Sequence, residues 1–131
     1  MVMNAADPTV VDSLTILADG DAVGTDVYVP FTSPDNIDTS KKSLMVQEDT
    51  DGAAIWQYRL NQDSWRVVAT VNNFDGESSG IVDASDWFGG GRWILDVQGH
   101  GVNVDEDLLL DPPNLVKRES GQLILMKIPG S

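Results

Sequence analysis

The chain has 131 residues, which fits one domain at most and buries a real core only if the fold closes on itself. Its 21 acidic residues against 8 basic ones give a formal net charge of −13. Such a surface repels nucleic-acid phosphates and anionic lipid and suits divalent cations, although solubility alone is the commoner reason for it. The lack of cysteine excludes disulfides, thiol catalysis and Cys-ligated zinc, and leaves the redox compartment open.

Taken in chain order, the first two runs that read as strands are 13–18 (SLTILA) and 25–29 (TDVYV). The next three are 43–48 (SLMVQE), 54–60 (AIWQYRL) and 65–71 (WRVVATV). Run 92–98 (RWILDVQ) alternates most clearly, with Trp93, Leu95 and Val97 on one side of the pleat. The last is 122–128 (QLILMKI). Clusters of Gly, Asp, Asn and Ser separate the runs and supply turn chemistry. No helical period persists, and 105–110 (DEDLLL) offers at most one turn before Pro112 and Pro113. The alternation predicts a core of Leu44, Val46, Trp65, Val67, Trp93, Leu95, Leu123 and Leu125. No run approaches the roughly 18 apolar residues of a membrane span. The first residues lack the basic and apolar regions of a signal peptide, and a leader further upstream is left open.

Short strands with frequent turns indicate a sandwich, a barrel or a propeller. An internal repeat favours the propeller. Ile37-Asp38-Thr39-Ser40 precedes a strand ending Val46-Gln47, and Val82-Asp83-Ala84-Ser85 precedes one ending Val97-Gln98. Asp38 and Asp83 stand 45 residues apart, a propeller-blade period. Chance likeness between two short strands is the other reading. The fold expected is therefore all-β, two consecutive blades of a partial β-propeller built from antiparallel four-stranded sheets. Residues 1–30 would form N-terminal strands or a partial blade, with blades at about 33–72 and 77–131 within 31–131.

Three motifs resemble the PhoX-type alkaline phosphatases. Ser33-Pro34-Asp35-Asn36-Ile37 followed by Leu44-Met45-Val46-Gln47-Glu48-Asp49 is similar to one blade of that family. Glu77-Ser78-Ser79-Gly80, then Trp93-Ile94-Leu95-Asp96-Val97-Gln98-Gly99-His100, is similar to the following blade, and Gly121–Lys127 is similar to the last strand. The likeness covers roughly residues 30 to 130. It implies a calcium-dependent phosphomonoesterase propeller, exported in bacteria to the periplasm or the medium, with iron and calcium at the centre of the ring. The chain departs from the family in size, lacks its iron-ligating cysteine, and places His100 after Gly99 rather than directly after Gln. A phosphate ester is the substrate that this likeness implies; such a fragment is expected to be inactive alone and to self-associate through open blade faces. The alternative is a non-catalytic propeller or sandwich fragment with a structural or interaction role.

Among single residues, Glu77 stands first as a metal ligand, since it precedes a strand expected to line the central channel. Asp35 and Asn36, at the start of the preceding blade, offer a carboxylate and an amide oxygen. Backbone capping at turns accounts for the same residues equally simply. Glu48 and Asp49 are expected at an exposed strand rim. Gly76-Glu77-Ser78-Ser79-Gly80 matches G-x-S-x-G, but no strand-to-helix elbow follows, so Ser78 is not expected to be a nucleophile. Asp19-x-Asp21 lacks the later ligands and flanking helices of an EF-hand and reads as an acidic turn. His100, the single histidine, reads as a loop residue. Trp56, Tyr58, Trp65, Trp87 and Trp93 read as packing between sheets rather than as a sugar platform.

Overall fold

The structure, a computed structural model, describes residues 2–3, 6–7, 9–50, 52–72, 76–105 and 115–129. The chain divides into two units, Met1–Phe31 and Thr32–Ser131. In the first, β1 (Val2–Met3) pairs antiparallel with β2 (Val11–Ser13), and a single parallel bridge joins Asp19 to Tyr28. Neither predicted N-terminal strand forms as read. Residues 14–18 carry no regular structure, and 25–29 are turns with one bridge. A strand exists only through a partner's ladder, and a short alternating run without one has nothing to hold it extended.

The second unit holds two antiparallel sheets. The first has the order β3 (Pro34–Thr39), β4 (Ser43–Glu48), β5 (Ala54–Arg59), β6 (Ser64–Thr70). The second has the order β7 (Gly76–Asp83), β8 (Arg92–Asp105), β9 (Leu115–Lys127), with a one-turn helix α1 (Ser85–Phe88) between β7 and β8. The fold is all-β. Both sheets are meanders, each strand paired with its sequence neighbour; turns of three to five residues return the chain beside itself in the first sheet, and connections of eight and nine residues do so in the second. β8 and β9 extend well beyond the predicted runs, and β3 was read only as the start of a blade. Residues 106–110, with the predicted helical turn, lie outside the described residues.

The two sheets share one core. Directly paired residues occupy the same face, so Met45, opposite Gln57, and Gln47, opposite Ile55, look the same way. Met45 and Ile55 from the first sheet meet Ile81, Trp93 and Leu95 from the second, together with Ile128. Val68, Ala69, Val97, Ile124 and Met126 pack around them. β7 contributes Ser78 and then Ile81 to the inner face, a spacing of three that simple alternation forbids. A β-bulge between Ser79 and Ile81 supplies the extra residue, with Gly80 at φ 53°. A Cβ on Gly80 would stand 2.6 Å from Asp96 Oδ1, so both conformation and space favour glycine there.

Of the predicted core, Val46, Trp93 and Leu95 are buried and Leu44 and Trp65 half-buried. Val67, Leu123 and Leu125 are exposed instead. In β9 the inward residues are Ile124 and Met126, one position out of phase with the expectation. The run Leu123-Ile124-Leu125-Met126 is apolar throughout, so its pattern names no face. Trp87, expected between sheets, is 76 % exposed on α1.

Candidate functional site

Asp35 and Glu77 are each the second residue of the first strand of their sheet. Asp35 is exposed, beside a bulge in β3, and Asn36 Nδ2 donates to Asp35 Oδ2 at 2.9 Å. Glu77 is half-buried opposite Gln98 of β8. Pairing of Asn36 with Gln47 puts the amide on the inner face, whereas Glu77 alternates with the inward Ser78 and so lies on the outer face of its sheet. Among the described residues no three His, Cys, Asp or Glu side chains group around a point that could hold a metal ion. Calcium takes six to eight oxygens. The carboxylates and amide present do not make up that sphere by themselves.

Asp38 and Asp83, the repeat markers, are in contact. The Asp83 amide donates to Asp38 Oδ2 at 2.6 Å across 45 residues of sequence. Asp38 Oδ1 accepts from the Thr39 amide, and Asp83 Oδ1 accepts from both the amide and the hydroxyl of Ser85. These carboxylates therefore tie β3 to β7 and hold the start of α1. Backbone capping, rather than ligation, is their visible work.

Glu48 corrects the expectation of an exposed rim. It is 7 % exposed, and its carboxylate accepts from the amides of Thr32 (2.9 Å) and Ala54 (3.0 Å) and from Trp56 Nε1 (2.9 Å). One acidic side chain thus satisfies three donors where β4 ends and β5 begins. Asp49 is exposed as expected.

A buried polar seam runs along the inner face of the first sheet. Gln57 Nε2 donates to Ser43 Oγ at 2.6 Å, and Gln57 Oε1 accepts from Arg66 Nε at 2.7 Å. Gln47 is fully buried, with neither amide atom hydrogen-bonded. Ser78, 3 % exposed in the middle of β7, leaves its hydroxyl unbonded as well. A serine buried within a strand cannot serve as an elbow nucleophile, which needs an exposed hydroxyl at a strand-to-helix turn. Nothing in the sequence pattern marks Gln47 or Gln57 as buried; only their register opposite Ile55 and Met45 does. His100 belongs to β8 rather than to a loop, and its side chain lies outside the described residues. On the opposite face, the rings of Tyr58 and Trp65 pack with centroids 5.0 Å apart. The Tyr58 hydroxyl donates to Asp63, which holds the phenol above its usual range. Asp21 donates its amide to Asp19 Oδ1, an acidic turn as expected.

A hollow of about 540 Å³ opens between the end of β6 and the inner face of β9. Ile55, Ala69, Leu95, Val97, Ile124 and Met126 supply its apolar walls, with Gln122 and Asn72 at its margin. A smaller one, about 180 Å³, places Lys41 and Lys42 with Asp83 and Asp86. No helix among the described residues is long and apolar enough to cross a membrane. No family model, no curated protein and no solved structure matches the chain.

Proposed function

We propose that the two sheets are consecutive blades of a β-propeller and that the chain acts as a structural docking module, completing or recruiting further sheets. The observation that carries this reading is the Asp38–Asp83 contact, which joins equivalent points of the two repeats across neighbouring first strands. The outer face of the second sheet supports it. Val82, Leu123 and Leu125 are 52 %, 79 % and 49 % exposed there. A sheet face with that much apolar surface is one that another sheet would cover. Light scattering on purified chain tests the reading. Self-association that Leu123→Lys with Leu125→Lys weakens is expected. A chain that stays monomeric at high concentration, with or without the lysines, would contradict it.

A second reading follows the resemblance. In it the chain is the C-terminal part of a calcium-dependent phosphomonoesterase propeller of the periplasm or the extracellular medium. Glu77 with Asp35 and Asn36 would offer oxygen ligands that further blades complete. The matching positions of Asp35 and Glu77 in successive first strands favour it. Alone, the chain presents too few ligands, and phosphoryl transfer depends on metals and charged groups placed around the ester. Purified chain with calcium and ferric iron is therefore expected not to hydrolyse p-nitrophenyl phosphate. Turnover that Glu77→Gln removes would show a working site assembled from this chain alone.

A further inference from the structure

The 540 Å³ cleft lies along β9, the last strand of the three-stranded sheet. The first sheet ends in a fourth strand, β6, whereas the second ends at β9, which pairs with β8 and, among the described residues, has no strand on its other side. An unpaired edge offers a row of N–H and C=O groups to any extended segment. Here the edge is bordered by an apolar trough whose floor includes Ile124 and Met126.

We propose that this cleft is a docking slot for a β-strand, and that its occupant is residues 14–18 of a second copy of this chain, added antiparallel to β9. Leu14-Thr15-Ile16-Leu17-Ala18 is a mostly apolar run that reads as a strand yet forms none, and Leu14 and Ile16 are 80 % and 61 % exposed. Five extended residues span roughly 17 Å, the same length as Gln122 to Met126. With Leu14 opposite Met126, Ile16 falls opposite Ile124 and Ala18 opposite Gln122. Leu14, Ile16 and Ala18 then enter the trough, and Thr15 and Leu17 face away. Charge favours this direction. Arg66 and Lys127 line a hollow at the Met126 end, and Asp12 precedes the segment by two residues. Slot and strand lie on different parts of the chain, so the contact is head-to-tail and can propagate from copy to copy. The inference does not rest on the propeller reading. It uses the inner face and edge of β9, not the outer face carrying Leu123.

A labelled peptide of residues 11–19, titrated with the full chain in fluorescence anisotropy, tests it. Saturable binding is expected, weakened at least tenfold by Ile124→Asp in the chain and unchanged by Leu123→Asp. Peptide carrying Ile16→Asp should lose binding to the same degree, a control that leaves the protein unaltered. Failure of the peptide to bind wild-type chain would overturn the proposal. So would equal binding of wild-type and Ile16→Asp peptides. Binding that appears only when the chain's own residue 16 is changed to Asp would overturn the second copy as occupant and assign the slot to the chain's own segment. Loss of association with Leu123→Lys and Leu125→Lys while peptide binding persists would separate this interface from the outer-face one.

Discussion

The two sheets begin alike and end differently. Each opens with a strand whose second residue is acidic and whose Asp, 45 residues from its counterpart, serves the same junction. The first sheet goes on to a fourth strand and carries a bonded polar seam on its inner face, Ser43, Gln57 and Arg66, beside the unbonded Gln47. The second has three strands among the described residues, exposes Leu123 and Leu125 on one face, and leaves a trough beside Ile124. The difference puts the exposed Leu123 and Leu125 and the apolar trough in the second sheet.

The largest expected effect breaks what the sheets share. Leu95 is 3 % exposed in the joint core, so Leu95→Ala should cost about 2–5 kcal/mol in urea denaturation. A loss below roughly 0.5 kcal/mol would place Leu95 at a surface and the sheets apart. Next, Glu48→Ala removes the shared acceptor of three donors within the first sheet. Leaving part-buried donors unpaired predicts a loss of about 1–2 kcal/mol, with little change in peptide binding at β9. Glu48→Gln, which keeps an acceptor oxygen, should recover part of it.

Gln47→Met should act in the opposite direction. The side chain is fully buried without hydrogen bonds, and an unbranched apolar replacement of similar size removes that desolvation cost. A gain of about 1 kcal/mol in the urea midpoint analysis is expected. A loss would mean that the amide of Gln47 is satisfied in solution.

The smallest effect is a pH dependence confined to the first sheet. Tyr58 is held above its ordinary value by its hydrogen bond to Asp63. A raised folded pKa means that this contribution is fully present below the unfolded value near 10.0 and is lost as pH rises through the folded one. Alkaline titration of stability should therefore fall more steeply for wild type than for Tyr58→Phe. Parallel curves would show that the bond does not form.

The central strands were legible because their burial is written in alternation. Trp93, Leu95 and Val97 all turned inward, and β4, β5 and β6 fall within a residue of their runs. β3 gave almost no signal as a strand. Pro34, Asp35 and Asn36 are turn residues, and Ile37, the run's one aliphatic side chain, is 63 % exposed. It is extended because β4 offers a ladder and Asp38 anchors Asp83, both properties of the assembled sheets. Residues 14–18 erred the other way, reading as a strand but with no ladder partner among the described residues. At the candidate site, the carboxylates at the strand starts were legible as residues but not as geometry. Glu48 shows why: a strand-end glutamate reads the same whether it faces water or caps three donors.

The claim beneath all of this is that the two sheets are stacked repeats joined at Asp38 and Asp83. Nuclear magnetic resonance of isotopically labelled chain tests it directly. The account predicts cross-peaks linking the Met45 and Ile55 methyls of the first sheet to those of Ile81 and Leu95 in the second. It also predicts an Asp83 amide protected from exchange, with protection lost in Asp38→Ala. Methyl cross-peaks confined within each sheet, and an Asp83 amide indifferent to residue 38, would contradict it.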